Sequence, residues 1–348
     1  MATWFELGTD APAASWRRIR SLRADPPLGL QDLLTGERKR VFQVALEQSQ
    51  QQFTAASAIG YESRPLNLFY GLSQAGRAIA AASHRLGDIE GAVDPHWICS
   101  GHGLRYAGDL SSVDFLDSLV TVTPTQRDSF SRISIALDSP TDLNRVSLGE
   151  VMSQILELRI NYGRALVSAP VLTPNGIYGT PSPNIDYERF ELLVPTFTPD
   201  WPVEQVHEFL NQYPALRGLD VARRDDGGPL ESHNIGHVFV LVPPTALEEQ
   251  ANGNRHLLQS RTYRHHRVIL PSLGDSQSDI HPLASWWLLL FALSMLARYN
   301  PSDWTRLLDL SSSKIAAMIE YTLDAALAAV PELIAESLLA LGGVSGLA

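Results

Sequence analysis

Residues 282–297 read PLASWWLLLFALSMLA, sixteen residues without a charge between His281 and Arg298. A bilayer-spanning helix needs about 20 apolar residues, so this run is short for a membrane, and no membrane association is expected. It is apolar all round and carries two adjacent tryptophans, which predicts a helix enclosed in a protein core. Such a helix needs cover on every side. The segments after it also read as helices: one behind a Ser302/Asp303 cap at Trp304, one from Lys314 to Val330 behind Ser311–Ser313, and one from Glu332 to Leu341 ahead of Gly342. These cannot bury one another completely, so the N-terminal part of the chain must supply the rest.

That part has the right elements. Helical periodicity covers Glu37 to Ser57, Pro65 to Arg85 and Leu148 to Leu166, preceded by a Trp-, Arg- and Pro-rich stretch over 1–36 that reads as short irregular helices. Between the two helical halves the pattern changes. Residues 170–184 (PVLTPNGIYGTPSPN) hold four prolines and two glycines, the composition of a linker. Beyond it, Phe190–Phe197, His237–Val242 and Arg261–Leu270 read as strands, with a helix from Val203 to Gln212. The expected fold class is therefore α+β and mainly helical. Residues 1–168 and 276–348 form one helical core, 169–184 a linker, and 185–275 a small α/β insertion.

Composition narrows the function. With 38 acidic residues against 25 Arg and 2 Lys, the net charge of -11 argues against a broad nonspecific grip on nucleic acid, leaving only a local basic patch. Cys99 is the one cysteine, so no internal disulfide forms, and MATWFELGTDAPAASW lacks the order of a signal peptide. A cytoplasmic location is expected. There are no like-charge blocks, long repeats or heptads, nor a Walker loop, a GxSxG elbow, an HExxH pair or a dinucleotide fingerprint.

The most informative polar pattern lies on NLFYGLSQAGRAIAAASH, residues 67–84. On a helix, Leu68, Leu72, Ala75, Ile79 and Ala82 share one stripe, and Asn67, Tyr70, Gln74, Arg77 and His84 the opposite one, flanked by Ser73. An ordinary solvent face would be rich in Glu and Lys. This stripe offers directional hydrogen-bond donors instead, so it is either a ligand site or a hydrogen-bond network between helices. The small residues Gly71, Gly76, Ala78, Ala80 and Ala81 would let other helices approach closely.

The same stretch, PLNLFYGLSQAGRAIA, together with GHGL at Gly101–Leu104 and HPLASWWLLLFALSMLARYNPSDW, resembles the YaaC-like family of uncharacterised bacterial proteins over most of the chain. A more distant resemblance is to HEPN domains, helical bundles common in toxin and defence ribonucleases. Tyr70, Arg77 and His102 fit the HEPN outline, which implies a HEPN-like core interrupted by the insertion. The HEPN signature of Arg, four to six intervening residues, then His points to Arg77 with His84 and Arg261 with His266. Chance alone gives roughly two such pairs in a chain of this composition. For RNA cleavage, His84 or His102 would serve as base or acid, and Arg77 would hold the phosphate without a metal.

Two other stretches carry chemistry-bearing residues. RTYRHHR, residues 261–267, is the most basic run; on one strand, Arg261, Tyr263, His265 and Arg267 would share a face. Arg261, Arg264 and Arg267 are then either phosphate contacts or charges that protect an edge strand. His96, Cys99 and His102 have zinc-like spacing but no clear fourth ligand beyond Asp94, so the expectation is an ordinary thiol and no metal or cofactor. Two functions follow. One is engagement or cleavage of RNA, or nucleotide binding, in stress or phage defence. The other is a noncatalytic scaffold for a protein partner or a second copy of the chain.

Overall fold

The computed structural model describes residues 11–344 apart from 88–95, 109–113, 126, 163–165, 167–168, 170, 178–187, 195–199, 231–236, 243–246, 250–255 and 259. In chain order, helices α1 (Ala11–Ala24), α2 (Leu28–Gln31), α3 (Gly36–Ala58) and α4 (Arg64–Ala81) come first, followed by a 3-10 turn, His84–Leu86. A small antiparallel sheet comes next: β1 (Leu104–Ala107), β2 (Leu119–Val122) and β3 (Arg145–Ser147), with α5 (Ser129–Ala136) between β2 and β3. Helices α6 (Leu148–Ser153) and α7 (Leu156–Tyr162) complete the first half.

The inserted lobe is an antiparallel sheet in the order β4-β5-β7-β6. Its strands are β4 (Pro174–Ile177), β5 (Glu188–Leu193), β6 (Asp220–Val221) and β7 (His237–Val242). Helix α8 (Val203–Leu210) and a 3-10 turn at Pro214–Leu216 lie between β5 and β6. Two hairpins follow, β8 (Leu247–Glu249) with β9 (His256–Leu258), and β10 (Arg261–Tyr263) with β11 (His266–Val268). The chain ends in α9 (Pro282–Tyr299), α10 (Pro301–Leu307) and α11 (Ala316–Leu341).

Helix α9 is the axis of the molecule. Pro282 occupies its first turn, and the His281 ring accepts from the Leu283 N–H at 3.1 Å. Burial pushes the His281 pKa down to about 3, so the ring stays neutral and able to accept. From Pro282 to Leu293 every residue is buried. Helix α4 packs on one side and α11 on another. The small residues of α4 set the approach: a Cβ at Gly71 would meet the Phe53 ring of α3 at 2.6 Å, and one at Gly76 would meet Trp287 of α9 at 2.5 Å. Leu68, Leu72, Ala75, Ile79 and Ala82 are all fully buried, as the apolar stripe requires.

Several expected boundaries are corrected. Helix α4 stops at Ala81, so His84 leaves its face and sits in the 3-10 turn. The expected third helix is two, α6 and α7, the first closed by a capping box between Ser147 and Glu150. The two expected C-terminal helices are one, because α11 runs straight through Pro331. An interior proline costs about 3 kcal/mol, and here the burial of Val330, Leu333 and Ile334 on either side outweighs it. The region between the second and third expected helices holds β1 to β3, whose short strands gave little periodicity.

The lobe has its own core of Leu192, Val194, Val206, Leu210, Tyr213, Val238 and Val240, with Leu172 and Ile269 at its base. Leu172 and Ile269 exchange backbone hydrogen bonds at 3.0 and 2.8 Å, so the chain enters and leaves the lobe side by side. Strand β4 falls within the expected linker; its proline is admissible because β4 is an edge strand. The rest of that linker, at 178–184, lies outside the described residues. Hairpin β10–β11 instead joins the helical core through Tyr263 and Val268.

Candidate functional site

The loop Cys99–Gly103 lies along α4 and is pinned from beneath by the start of α5. Ser129 donates to the Gly101 carbonyl from both its N–H (3.2 Å) and its hydroxyl (2.7 Å), and the Phe130 N–H donates to the His102 carbonyl at 3.2 Å. Thr123 N–H takes the Gly103 carbonyl at 2.8 Å. Asp128, which caps α5 by accepting from Ser131 N–H at 2.8 Å, also accepts from Thr125 N–H. Gly101 and Gly103 have φ of 78° and 73°, and any Cβ at Gly103 would collide with the Asp128 carboxylate.

This scaffold presents His102. Its ring leans on Phe69 (centroids 5.3 Å) and Phe291 (5.8 Å), and its Nδ1 is buried with no hydrogen-bond partner among the described residues. Burial, and then the charge of Arg298, lower its pKa, so the imidazole is neutral near pH 7. Arg298 donates to the Tyr70 hydroxyl at 3.1 Å and lies 5.1 Å from the Tyr299 ring centroid. Farther along α4, Arg77 is exposed, and among the described residues its guanidinium has no hydrogen bond or ion pair. Burial raises the Cys99 pKa to about 11, with the charges of Arg77 and Arg132 opposing it. Tyr70, Arg77, Cys99, His102 and Arg298 thus border one face. Ser73 and Asn67 are half-buried on the same helix, and Gln74 Oε1 is buried without a partner among the described residues.

His84 does not join them. Its Nε2 is 2.8 Å from the Gly29 carbonyl, beyond the C-terminal end of α4, while His102 rests on Phe69, about 18 Å away along the helix axis. Two concavities on the molecule lie elsewhere, one along α1 and α3 near Gln43 and Glu47, the other near Gln154, Gln212 and Ser272.

The basic run 261–267 is not one strand. It turns at Arg264 and His265, with φ of 48° and 66°, so Tyr263 faces His266 across the hairpin. Two left-handed residues form the turn that twisted hairpins favour, usually supplied by Asn-Gly. Arg261 is committed to Asp279 through two 2.9 Å contacts and to the Asp138 carbonyl at 2.7 Å. Arg264 is 5% exposed; its Nη1 donates to Glu157 at 2.9 Å and its Nε to Glu332 at 2.7 Å. Arg267 is half-buried.

Around Arg264 lies a cluster that the sequence reading missed. Tyr263 donates to Glu157, and Trp286 Nε1 donates to the Tyr263 hydroxyl at 3.0 Å. The Glu336 carboxylate accepts from the backbone N–H groups of both turn residues, Arg264 and His265, which holds the strained turn in place. The His265 Nε2 is 3.1 Å from Glu332 and its Nδ1 3.4 Å from Glu336. Burial raises the Glu336 pKa to about 7 against the pull of those N–H groups, and the nearby Glu332 adds to the rise. The available signal was ELIAE at Glu332–Glu336, two acids four residues apart in the mostly apolar C-terminal half of α11.

Among the described residues, the group whose donor atoms converge as a metal site would is His265, Glu332 and Glu336. His96, Cys99 and His102 are not brought together in that way, and Asp94 lies outside the described residues.

A family profile described as YaaC-like Protein matches residues 21–338, nearly the whole chain. The chain belongs to the YaaC-like family. No curated protein and no solved structure matches it. Both segments that carried the resemblance, α4 with the GHGL loop and α9 with α10, fall within the match, and α4, the loop and α9 build the face around His102.

Proposed function

We propose that this YaaC-like chain engages RNA or a nucleotide through the face bordered by Tyr70, Ser73, Arg77, His102 and Arg298. The observation that carries the reading is Arg77: an exposed guanidinium with no partner among the described residues, on the same face as a second exposed arginine and a neutral histidine with an unpaired Nδ1. Two exposed guanidinium groups near a half-buried neutral imidazole suit an anionic ligand that also carries hydroxyl groups. A neutral imidazole can also take a proton from a ribose hydroxyl, which makes His102 the base in the cleaving form of the proposal. The HEPN-like outline of Tyr70, Arg77 and His102 belongs to this reading, as does a role in stress or phage defence.

The exposed aromatics favour a second reading. Tyr299 and Tyr70 are 64% and 40% exposed, and both contact Arg298. Tyrosine with arginine is also the composition of a protein-binding hot spot.

The deciding experiment measures binding of mixed-sequence RNA and of a nucleotide panel to wild type, Arg77→Lys and Arg298→Gln, with thermal melts of each. Binding that weakens in both variants at unchanged melting temperature, and that falls with salt, supports the proposal. Where the wild type cleaves RNA, His102→Gln should bind but not cleave. Absence of wild-type binding, or equal binding by all three proteins, overturns it in favour of the scaffold.

A further inference from the structure

The cluster beneath the β10–β11 turn has more negative charge than it can balance. Two carboxylates, Glu157 from α7 and Glu332 from α11, share the guanidinium of Arg264, and a third, Glu336 from α11, accepts only from the backbone N–H of that residue. Among the described residues, the ion pairs of these carboxylates are with Arg264 and His265 only. Glu157 is 2% exposed, and the Glu332 and Glu336 side chains are 11% and 12% exposed, so water screens the excess poorly. Arg264 lies on the Glu157 side, and the uncompensated charge lies on the other side, where His265 faces Glu332 and Glu336.

That side has the donor set of a metal centre. One imidazole and two carboxylates offer nitrogen and oxygen atoms that all lie within 4.8 Å of one another. The His265 Nε2 to Glu332 Oε1 separation is 3.1 Å. Ligands held about 2.1 Å from a shared tetrahedral or octahedral ion stand roughly 3.0 to 3.4 Å apart, so this pair needs little movement. The third donor is held by backbone. Both Glu336 oxygens accept turn N–H groups, which fixes the carboxylate while leaving each oxygen a second lone pair. The left-handed backbone at Arg264 and His265 is what aims both N–H groups and the imidazole at α11. His265 is 39% exposed, which gives an ion a route from solvent.

We propose that His265, Glu332 and Glu336 form a binding site for a divalent first-row transition ion. One imidazole with two carboxylates suits zinc, manganese or iron(II) better than calcium, and three protein ligands leave a position for water. Arg264 and Glu157 are positioning residues, since Arg264 orients Glu332 and Glu157 anchors Arg264. The site is separate from the His102 face, and the proposal does not depend on the proposed RNA or nucleotide binding.

The test is calorimetric titration of zinc, and separately of manganese, into full-length protein stripped with chelator, alongside thermal melts with each ion. A cobalt-substituted spectrum supplies a second readout. Wild type should take up one equivalent and melt higher with zinc in excess. His265→Ala and Glu336→Gln should each weaken binding by at least about tenfold and change the cobalt spectrum. His96→Ala should match the wild type. His265 is partly exposed, so its variant should fold, and circular dichroism before titration checks this; if it does not fold, His265→Asn takes its place. Absence of wild-type binding overturns the proposal, as does binding that survives unchanged in His265→Ala and Glu336→Gln, or that is lost in His96→Ala instead.

Discussion

Replacing Arg264 with methionine removes the guanidinium that, among the described residues, balances a cluster of three carboxylates, while keeping most of the side-chain volume. Arg264 makes two charged contacts, to Glu157 at 2.9 Å and Glu332 at 2.7 Å, with 5% of the residue exposed. Breaking a buried pair by deleting one partner costs about 3–5 kcal/mol, because the remaining charge is left in a poor solvent. For a chain of this size each kcal/mol lowers the melting temperature by roughly 2 °C, so a fall of about 6–10 °C is expected by scanning calorimetry. Glu157 is the more enclosed partner and also takes the Tyr263 hydroxyl. Adding Glu157→Gln to Arg264→Met should therefore recover part of the loss, and the double-mutant cycle should show coupling of 0.5–3 kcal/mol. An Arg264→Met protein that melts within a degree of wild type would refute the argument, since it would mean that the carboxylates are balanced by something other than Arg264.

Two further expectations follow from local geometry. Gly103→Ala places a methyl group against Asp128 at a left-handed φ of 73°, so it should dislodge the α5 cap and cost at least about 1 kcal/mol, read as a lowered melting temperature, whereas Gly101→Ala, with nothing within 4 Å, should cost only the backbone strain. Glu336, with its folded pKa raised from 4.5 to about 7, binds a proton more tightly in the native state; its contribution is complete below pH 4.5 and is lost as pH rises to 7, so chelator-treated wild type should lose up to about 3 kcal/mol across that window while Glu336→Gln shows a flatter profile.

The parts of the fold that were legible in the sequence are those specified by local pattern. The 282–297 run, the Pro282 start and the apolar stripe of α4 are local signals, and they were enough to require a helical core assembled from both ends of the chain. The insertion was legible through its prolines and β-rich runs. Its base was not, because the Leu172–Ile269 bridge joins residues almost a hundred positions apart and neither residue is distinctive by itself. Pro331 misled for a similar reason: the local rule ends a helix there, and burial of its neighbours overrides the rule. The RTYRHHR hairpin was hidden because its left-handed turn uses Arg and His where Asn-Gly would announce it. What makes the turn tolerable is Glu336, 71 residues downstream of His265.

The arginine bias of the composition takes on meaning only in three dimensions. With 25 Arg and 2 Lys, the chain repeatedly uses the one cation that can satisfy several acceptors in fixed geometry. Arg38 closes the end of α4 by donating to the carbonyls of Ala81, Ser83 and Leu86, and Arg64 does the same for α3 at Ala56 and Ile59. Arg261 clamps Asp279 through both edges of its fork, and Arg264 bridges two helices. A lysine in any of these places would offer its donors from a single nitrogen instead of a planar fork that spans separated acceptors. These arginines are therefore counter-ions and caps of the fold, and they contribute nothing to an anion-binding surface, although in the sequence they cannot be told apart from those that could. Arg77 is different. It is exposed on α4, and its guanidinium carries no such internal duty among the described residues. Other exposed arginines, such as Arg17, Arg20, Arg40, Arg105 and Arg145, also point to solvent, so what sets Arg77 apart is its place beside the Cys99–Gly103 loop and the neutral His102 rather than its freedom.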